Sequence, residues 1–171
     1  MDLVFRGNPR SKHMSYRKYK RFIEPYLASL TDKPFDVICA FRHPEDWLQS
    51  WWRYRRREAL RGSANSTRGL SFDHFVDRYL DGQQKPADVG RQARFVARDG
   101  DEIGVSRVFR YDRIERMVRF LQERLETEIS LERLNVSPKA PFLGGRLGNT
   151  RRVELRTALA RDYEIYESVA E

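Results

Sequence analysis

Phe35-Asp36-Val37-Ile38-Cys39-Ala40-Phe41-Arg42-His43-Pro44-Glu45-Asp46-Trp47-Leu48-Gln49-Ser50 is the stretch on which the reading of this chain turns. Val37 to Phe41 is an unbroken run of five apolar residues between Asp36 and Arg42. A run this short and this apolar predicts a strand buried on both faces, as strands of a helix-covered parallel sheet are. Pro44 has no N–H to lose in a helical first turn, so a helix starts there. Trp47, Leu48, Trp51 and Tyr54 then share one face of it, with Arg53, Arg56 and Arg57 on the other side. A strand running straight into a helix is the βα step of an α/β protein.

The flanking sequence extends the pattern. Ser15 to Leu30 places apolar residues at 19, 22, 23, 26, 27 and 30, which is helical spacing, and Pro25 predicts a kink or two short helices. Ser71 opens a helix with Asp73 in its first turn and Phe72, Phe75, Val76 and Tyr79 facing inward. Val89 to Ala97 reads as helical, Val105 to Phe109 as a second buried strand. Tyr111 to Glu126 is a helix with Ile114, Met117, Val118, Leu121 and Leu125 at core spacing. Residues 134–150 form a long loop, and Thr150 to Val169 closes the chain as one helix. The expectation is one α/β domain over residues 1–171 with a short parallel sheet flanked by helices. Two strands leave long exposed edges. Part of the sheet is therefore expected to be missing or supplied by another chain, which leaves self-association open.

The bulk numbers set the class of partner. Lys and Arg total 33 against 25 Asp and Glu, a formal charge of +8. A surplus of this size favours anions such as phosphates, sulfates, nucleic acid or acidic lipid without choosing among them. The single cysteine, Cys39, sits inside the apolar run, so no intrachain disulfide can form, and a reducing cytoplasm is the simplest home. No stretch is long and apolar enough to span a membrane. His13, His43 and His74 have no ligand-like spacing, and no metal is expected. Trp51-Trp52-Arg53-Tyr54-Arg55-Arg56-Arg57 mixes cations with rings that could stack on a nucleic-acid strand. The rings share helical core spacing, so the reading is a buried face beside a solvated arginine face, with no specific nucleic-acid partner.

Arg42 follows a strand, so it emerges at the carboxyl end of the sheet, where open α/β sheets bind ligands. Ser50 comes about two helical turns after Pro44 and can face the same crevice. A guanidinium fork and an orienting hydroxyl suit one phosphate. The plainer alternative is a solvated arginine and an ordinary helical serine.

Arg42-x-Pro44 with Ser50 eight residues beyond Arg42 resembles the 3′-phosphate motif of sulfotransferases. The order around it is similar to bacterial members of that family: Lys12-His13-Met14-Ser15, a helix, the strand, then Arg42-His43-Pro44. Gln92, Phe109-Arg110-Tyr111, Leu134-Asn135-Val136-Ser137 and Arg161-Asp162-Tyr163-Glu164 match further landmarks, so the likeness runs from about residue 3 to the end. The resemblance implies a P-loop-like three-layer sandwich and transfer of a sulfuryl group from 3′-phosphoadenosine-5′-phosphosulfate (PAPS) to a hydroxyl or amine of a small molecule or carbohydrate. It implies Arg42 and Ser50 at the 3′-phosphate, His13 as the base toward the acceptor, Lys12 beside the transferred group, and Lys139 and Arg146 in a basic loop near the nucleotide. The family's phosphosulfate loop should stand some tens of residues before Leu3-Val4-Phe5. The expectation is thus a domain incomplete at its N-terminus, with the activity of these 171 residues in doubt. Trp47 stands where relatives often carry Arg, and His43 where a short polar or acidic residue is common.

Two other classes stay open. A P-loop-type kinase or phosphotransferase would want a Walker lysine loop and a magnesium-binding acid, and neither is visible. A non-catalytic nucleotide-binding module would need only the basic charge and the phosphate-binding residues.

Overall fold

The computed structural model describes residues 14–131 and 147–169. Ile38–Phe41 forms strand β1 and Arg107–Arg110 strand β2, and the two pair in a short parallel sheet. Helices make up the rest of the regular structure, so the arrangement is mixed α/β. Two compact units divide the described chain: residues 14–39 with 91–108, and residues 40–90 with 109–131 and 147–169.

The first unit holds helices α1 (Tyr16–Phe22), α2 (Glu24–Ala28) and, after residue 90, α5 (Gln92–Val96). Pro25 falls in the first turn of α2, where its missing N–H costs nothing, and the expected break takes the form of two short helices. The α5 helix is shorter than the predicted 89–97: Arg91 is still extended before it, and Ala97 leaves helical backbone to bridge Ile103 in antiparallel fashion. The unit is tied by Arg17, whose guanidinium donates to the carbonyls of Arg98 (2.9 Å) and Gly100 (3.0 Å). The Val37 N–H donates to Ser106 Oγ at 3.1 Å, and the Ser106 N–H returns a bond to Val37 O at 2.8 Å.

The second unit carries the larger core. Helices α3 (Pro44–Tyr54), α4 (Phe72–Leu80), α7 (Asn149–Ala158) and α8 (Ala160–Ser168) supply Leu48, Trp52, Phe72, Phe75, Val76, Tyr79, Leu155 and Tyr163, with Leu159 between the last two helices. The α4 helix matches its prediction: Ser71 caps it by accepting the His74 N–H, and its four expected core residues are all buried. Trp52 Nε1 donates to Leu70 O at 2.9 Å, and the buried Thr67 hydroxyl donates to Trp52 O at 2.6 Å. These bonds hold the Gly62–Gly69 loop against α3 while satisfying polar groups that burial would otherwise orphan.

Four expectations are corrected. The β1 strand is not buried on both faces: Phe41 is buried, Ile38 and Cys39 are half-buried and Ala40 is exposed. Faces are covered by layers packed on a sheet, and Ala40 projects to a face left open among the described residues. The buried face of α3 is Pro44, Leu48 and Trp52, with Tyr54 left 44% exposed. That is a stripe at four-residue intervals, one position round from the one expected, because Trp52 packs on Phe72 of α4. The predicted helix 150–169 breaks at Leu159, whose ψ of 27° ends α7, so that α8 buries Tyr163, Ile165 and Tyr166 on its own axis. Helix α6 (Ile114–Leu125) forms three residues later than the predicted Tyr111 start, after a 3-10 turn, and its apolar face is half-covered with Leu125 60% exposed. Among the described residues no helix is long and apolar enough to cross a membrane.

Candidate functional site

Both strands end in the same three-residue pattern: Phe41-Arg42-His43 at β1 and Phe109-Arg110-Tyr111 at β2. Each phenylalanine is buried, which anchors the strand end, so the arginine and ring that follow are delivered to one edge of the sheet. Parallel pairing places both arginines at the carboxyl edge. Pro44 starts α3 at once after His43, and a single 3-10 turn, Tyr111–Arg113, follows Arg110. The chain thus leaves both strands through short, well-determined turns.

Rings fix the cations. The Arg42 guanidinium lies over the Tyr111 ring at 3.9 Å, and that of Arg110 over the Tyr166 ring at 4.4 Å. At such distances the ring quadrupole attracts the charge and restricts the side chain. Arg110 also donates to Asp112 at 2.9 Å, and the Tyr166 hydroxyl donates to the same carboxylate at 2.9 Å. The Arg110 hydrogen bond, aided by that of Tyr166, holds the Asp112 carboxyl below the usual carboxylate range. Burial, followed by the hydrogen bond to Asp112, pushes the Tyr166 phenol up. His43 packs edge-on against Tyr163 and Tyr166, with ring centroids 5.3 and 5.1 Å away. Burial pushes the Tyr163 phenol up to about 12, so it is a neutral wall at physiological pH. The first turn of α3 carries Glu45 and Asp46, and Glu45 accepts from Arg152 at 3.0 Å.

Arg42 therefore stands at the strand end that the sequence specified, half-buried, and Ser50 is half-buried on α3. His13, Lys12, Lys139 and Arg146 lie outside the described residues. Sequence reading gave no site role to Arg110, Asp112, Tyr163 and Tyr166. The signal for Arg110 was present in the repeated Phe-Arg-ring pattern. The pairing of Tyr166 with Asp112 spans 54 positions and had no local signal. Chemically, the edge offers the Arg42 guanidinium, localised over Tyr111, and beside it an Arg110–Asp112 ion pair against the Tyr166 ring, an arrangement suited to a flat base beside an anionic group. Among the described residues no three His, Cys, Asp or Glu side chains gather closely enough to hold a metal ion.

Comparison with protein-family models, with characterised proteins and with solved structures finds no match to this chain.

Proposed function

We propose that this chain is a sulfotransferase-like domain with a P-loop-like sandwich, which holds the 3′-phosphate of an adenine nucleotide at Arg42 and Ser50. The observation that supports it is the placement of Arg42. It follows a strand at the carboxyl edge of a parallel sheet, stacked at 3.9 Å on Tyr111, and leads within two residues into the helix that carries Ser50. A phosphate needs a localised guanidinium fork at that edge, and the ring contact supplies the localisation.

In this reading PAPS is the sulfuryl donor and a hydroxyl or amine of a small molecule or carbohydrate is the acceptor. The acceptor oxygen or nitrogen bonds to sulfur as the bond from sulfur to the 5′-phosphate oxygen breaks. His13 takes the acceptor's proton, and adenosine 3′,5′-bisphosphate leaves. Lys12 offsets charge on the transferred group, and Lys139 and Arg146 border the nucleotide. In-line alignment and charge stabilisation would supply most of the rate. The lone cysteine, Cys39, accords with a reducing, cytoplasmic setting.

Thermal unfolding with adenosine 3′,5′-bisphosphate, 5′-AMP and ATP tests the proposal. The bisphosphate at about a hundred times its dissociation constant should stabilise by about 2.7 kcal/mol. Arg42→Ala should weaken the bisphosphate by ten- to a hundredfold, the worth of a charge-assisted bond at about 1.5–3 kcal/mol, and leave 5′-AMP nearly untouched. No stabilisation by the bisphosphate, or equal weakening of both nucleotides in the variant, would overturn it.

A further inference from the structure

Helices α1 and α2 run nearly as one. The Ile23 N–H donates to Tyr19 O at 2.8 Å and the Leu27 N–H to Ile23 O at 3.0 Å, so the four-residue ladder passes through the joint between them. Residues four apart therefore keep to one side across both helices and the turn that closes α2. Tyr19, Ile23 and Leu27 make the half-buried side. Phe22, Tyr26 and Leu30 make a second line beside it, and they are 58%, 46% and 59% exposed. Single exposed apolar side chains are ordinary on a protein surface. Three large ones in register form a stripe, and an exposed apolar stripe marks a contact surface.

Charge narrows what the stripe meets. Between residues 14 and 31 the chain has Arg17, Lys18, Lys20 and Arg21 against Glu24 alone. Glu24 pairs with Lys20, and Arg17 donates to the carbonyls of Arg98 and Gly100. Lys18 and Arg21 are exposed and border the stripe on the side away from the half-buried residues, with the Arg21 guanidinium 5.1 Å from the centre of the Phe22 ring. Asp32 and Asp36 come only after Leu30, with Lys33 between them. A second copy of this chain would set these cations against their equals, on a protein whose formal charge is already +8. An anionic bilayer satisfies both parts: apolar side chains enter the boundary between headgroups and acyl chains, while lysine and arginine stems reach back to the lipid phosphates. The stripe stands on the outside of a helix pair, and none of its three residues lines the cleft of this unit. A fluid lipid surface needs no matching relief to cover such a line, whereas a folded partner does.

We infer that the α1–α2 face docks on the surface of an anionic lipid bilayer, with Phe22, Tyr26 and Leu30 entering the interface and Lys18 and Arg21 on the headgroups. The protein lies on the membrane without spanning it. The face belongs to one compact unit and Arg42 and Ser50 to the other, so the inference does not rest on the proposed function.

Flotation with vesicles of phosphatidylcholine alone, or of equal parts phosphatidylcholine and phosphatidylserine, tests it on the full chain. The mixed vesicles should bind about thirtyfold more tightly, the worth of two cations near an anionic surface. Lys18→Gln/Arg21→Gln should remove nearly all of that preference. Arg61→Gln/Arg119→Gln takes the same charge from exposed positions elsewhere and should keep it within about threefold. Phe22→Ser/Leu30→Ser should weaken binding about tenfold or more, and an unchanged thermal midpoint shows that these exposed changes leave the fold intact. In Tyr26→Trp, brominated acyl chains should quench the added indole, with wild-type Trp47, Trp51 and Trp52 giving the background. No binding to the mixed vesicles would overturn the inference. So would equal losses in the two arginine-containing charge variants, or full binding by Phe22→Ser/Leu30→Ser, the marks of adsorption by net charge alone. A concentration-dependent dimer that Phe22→Ser/Leu30→Ser abolishes, without vesicle binding, would assign the stripe to a second copy and overturn it too.

Discussion

Gly104 tests the packing of the first unit with one methyl group. Its φ lies outside the left-handed region, so its backbone does not itself demand glycine. Space does. A Cβ built there would stand 2.2 Å from Cδ1 and Cε1 of Tyr16, more than 1 Å inside the 3.4 Å at which ordinary contact begins, and 2.9 Å from its Cγ. Cγ lies next to the Tyr16 backbone, so rotating the ring about its own axis cannot clear the clash. Two effects then oppose each other in Gly104→Ala. Restricting the unfolded chain stabilises by about 0.4–1 kcal/mol. Overpacking costs about 1–3 kcal/mol. The clash is severe enough for the second to win, giving a net loss of about 1 kcal/mol or more. Amide exchange at Gly104 reads this locally, because its N–H donates to Val96 O at 2.9 Å. Urea unfolding reads the global consequence. In a Tyr16→Ala background the clash is gone, and Gly104→Ala should become neutral or stabilising. A Gly104→Ala protein as stable as the wild type, or a double-mutant cycle with no coupling, would refute the reasoning.

Other outcomes follow from single contacts. Trp52→Ala should cost about 3–5 kcal/mol in denaturant unfolding, since it empties a nearly fully buried site and strips Leu70 O of its 2.9 Å partner; a loss below about 1 kcal/mol would mean the core collapses to fill it. Ser71→Ala should cost about 1 kcal/mol by removing the acceptor for the His74 N–H, and Ser71→Asp should restore most of it, as checked by chemical denaturation. Because the Asp112 carboxyl titrates below its unfolded value, its contacts stabilise fully above an unfolded pKa of about 3.9 and lose that contribution as pH falls through the folded value. Tyr166→Phe removes one of its side-chain donors, and should move the Asp112 midpoint upward in a carboxyl-carbon NMR titration; an unmoved midpoint would leave the depression to Arg110 and the backbone N–H.

Local pattern carried much of this fold. Pro25 and Pro44 dictate helix starts because an imino acid is tolerated only in the first turn, and both helices begin there. Ser71 and the spacing of Phe72, Phe75, Val76 and Tyr79 determine α4 by capping and amphipathicity alone. Where prediction missed, the deciding contact came from far along the chain. Helical spacing put Trp51 on the core face, and the burial of Trp52 instead follows from Phe72 and the Leu70 carbonyl, about 20 residues on. The half-covered face of α6 has regular periodicity, yet periodicity states which residues share a face and not what lies opposite them.

The same division holds at the sheet edge. The sequence by itself determined that Arg42 follows an apolar strand and precedes a helix, because chain connectivity, proline geometry and a five-residue apolar run are local properties. Only the tertiary structure decided that Tyr111 lies under Arg42 and that Tyr166 and Asp112 clasp Arg110. Each of those facts joins segments distant in sequence or depends on the space left when they pack, and such contacts are set by burial of whole faces and not by any neighbouring residue.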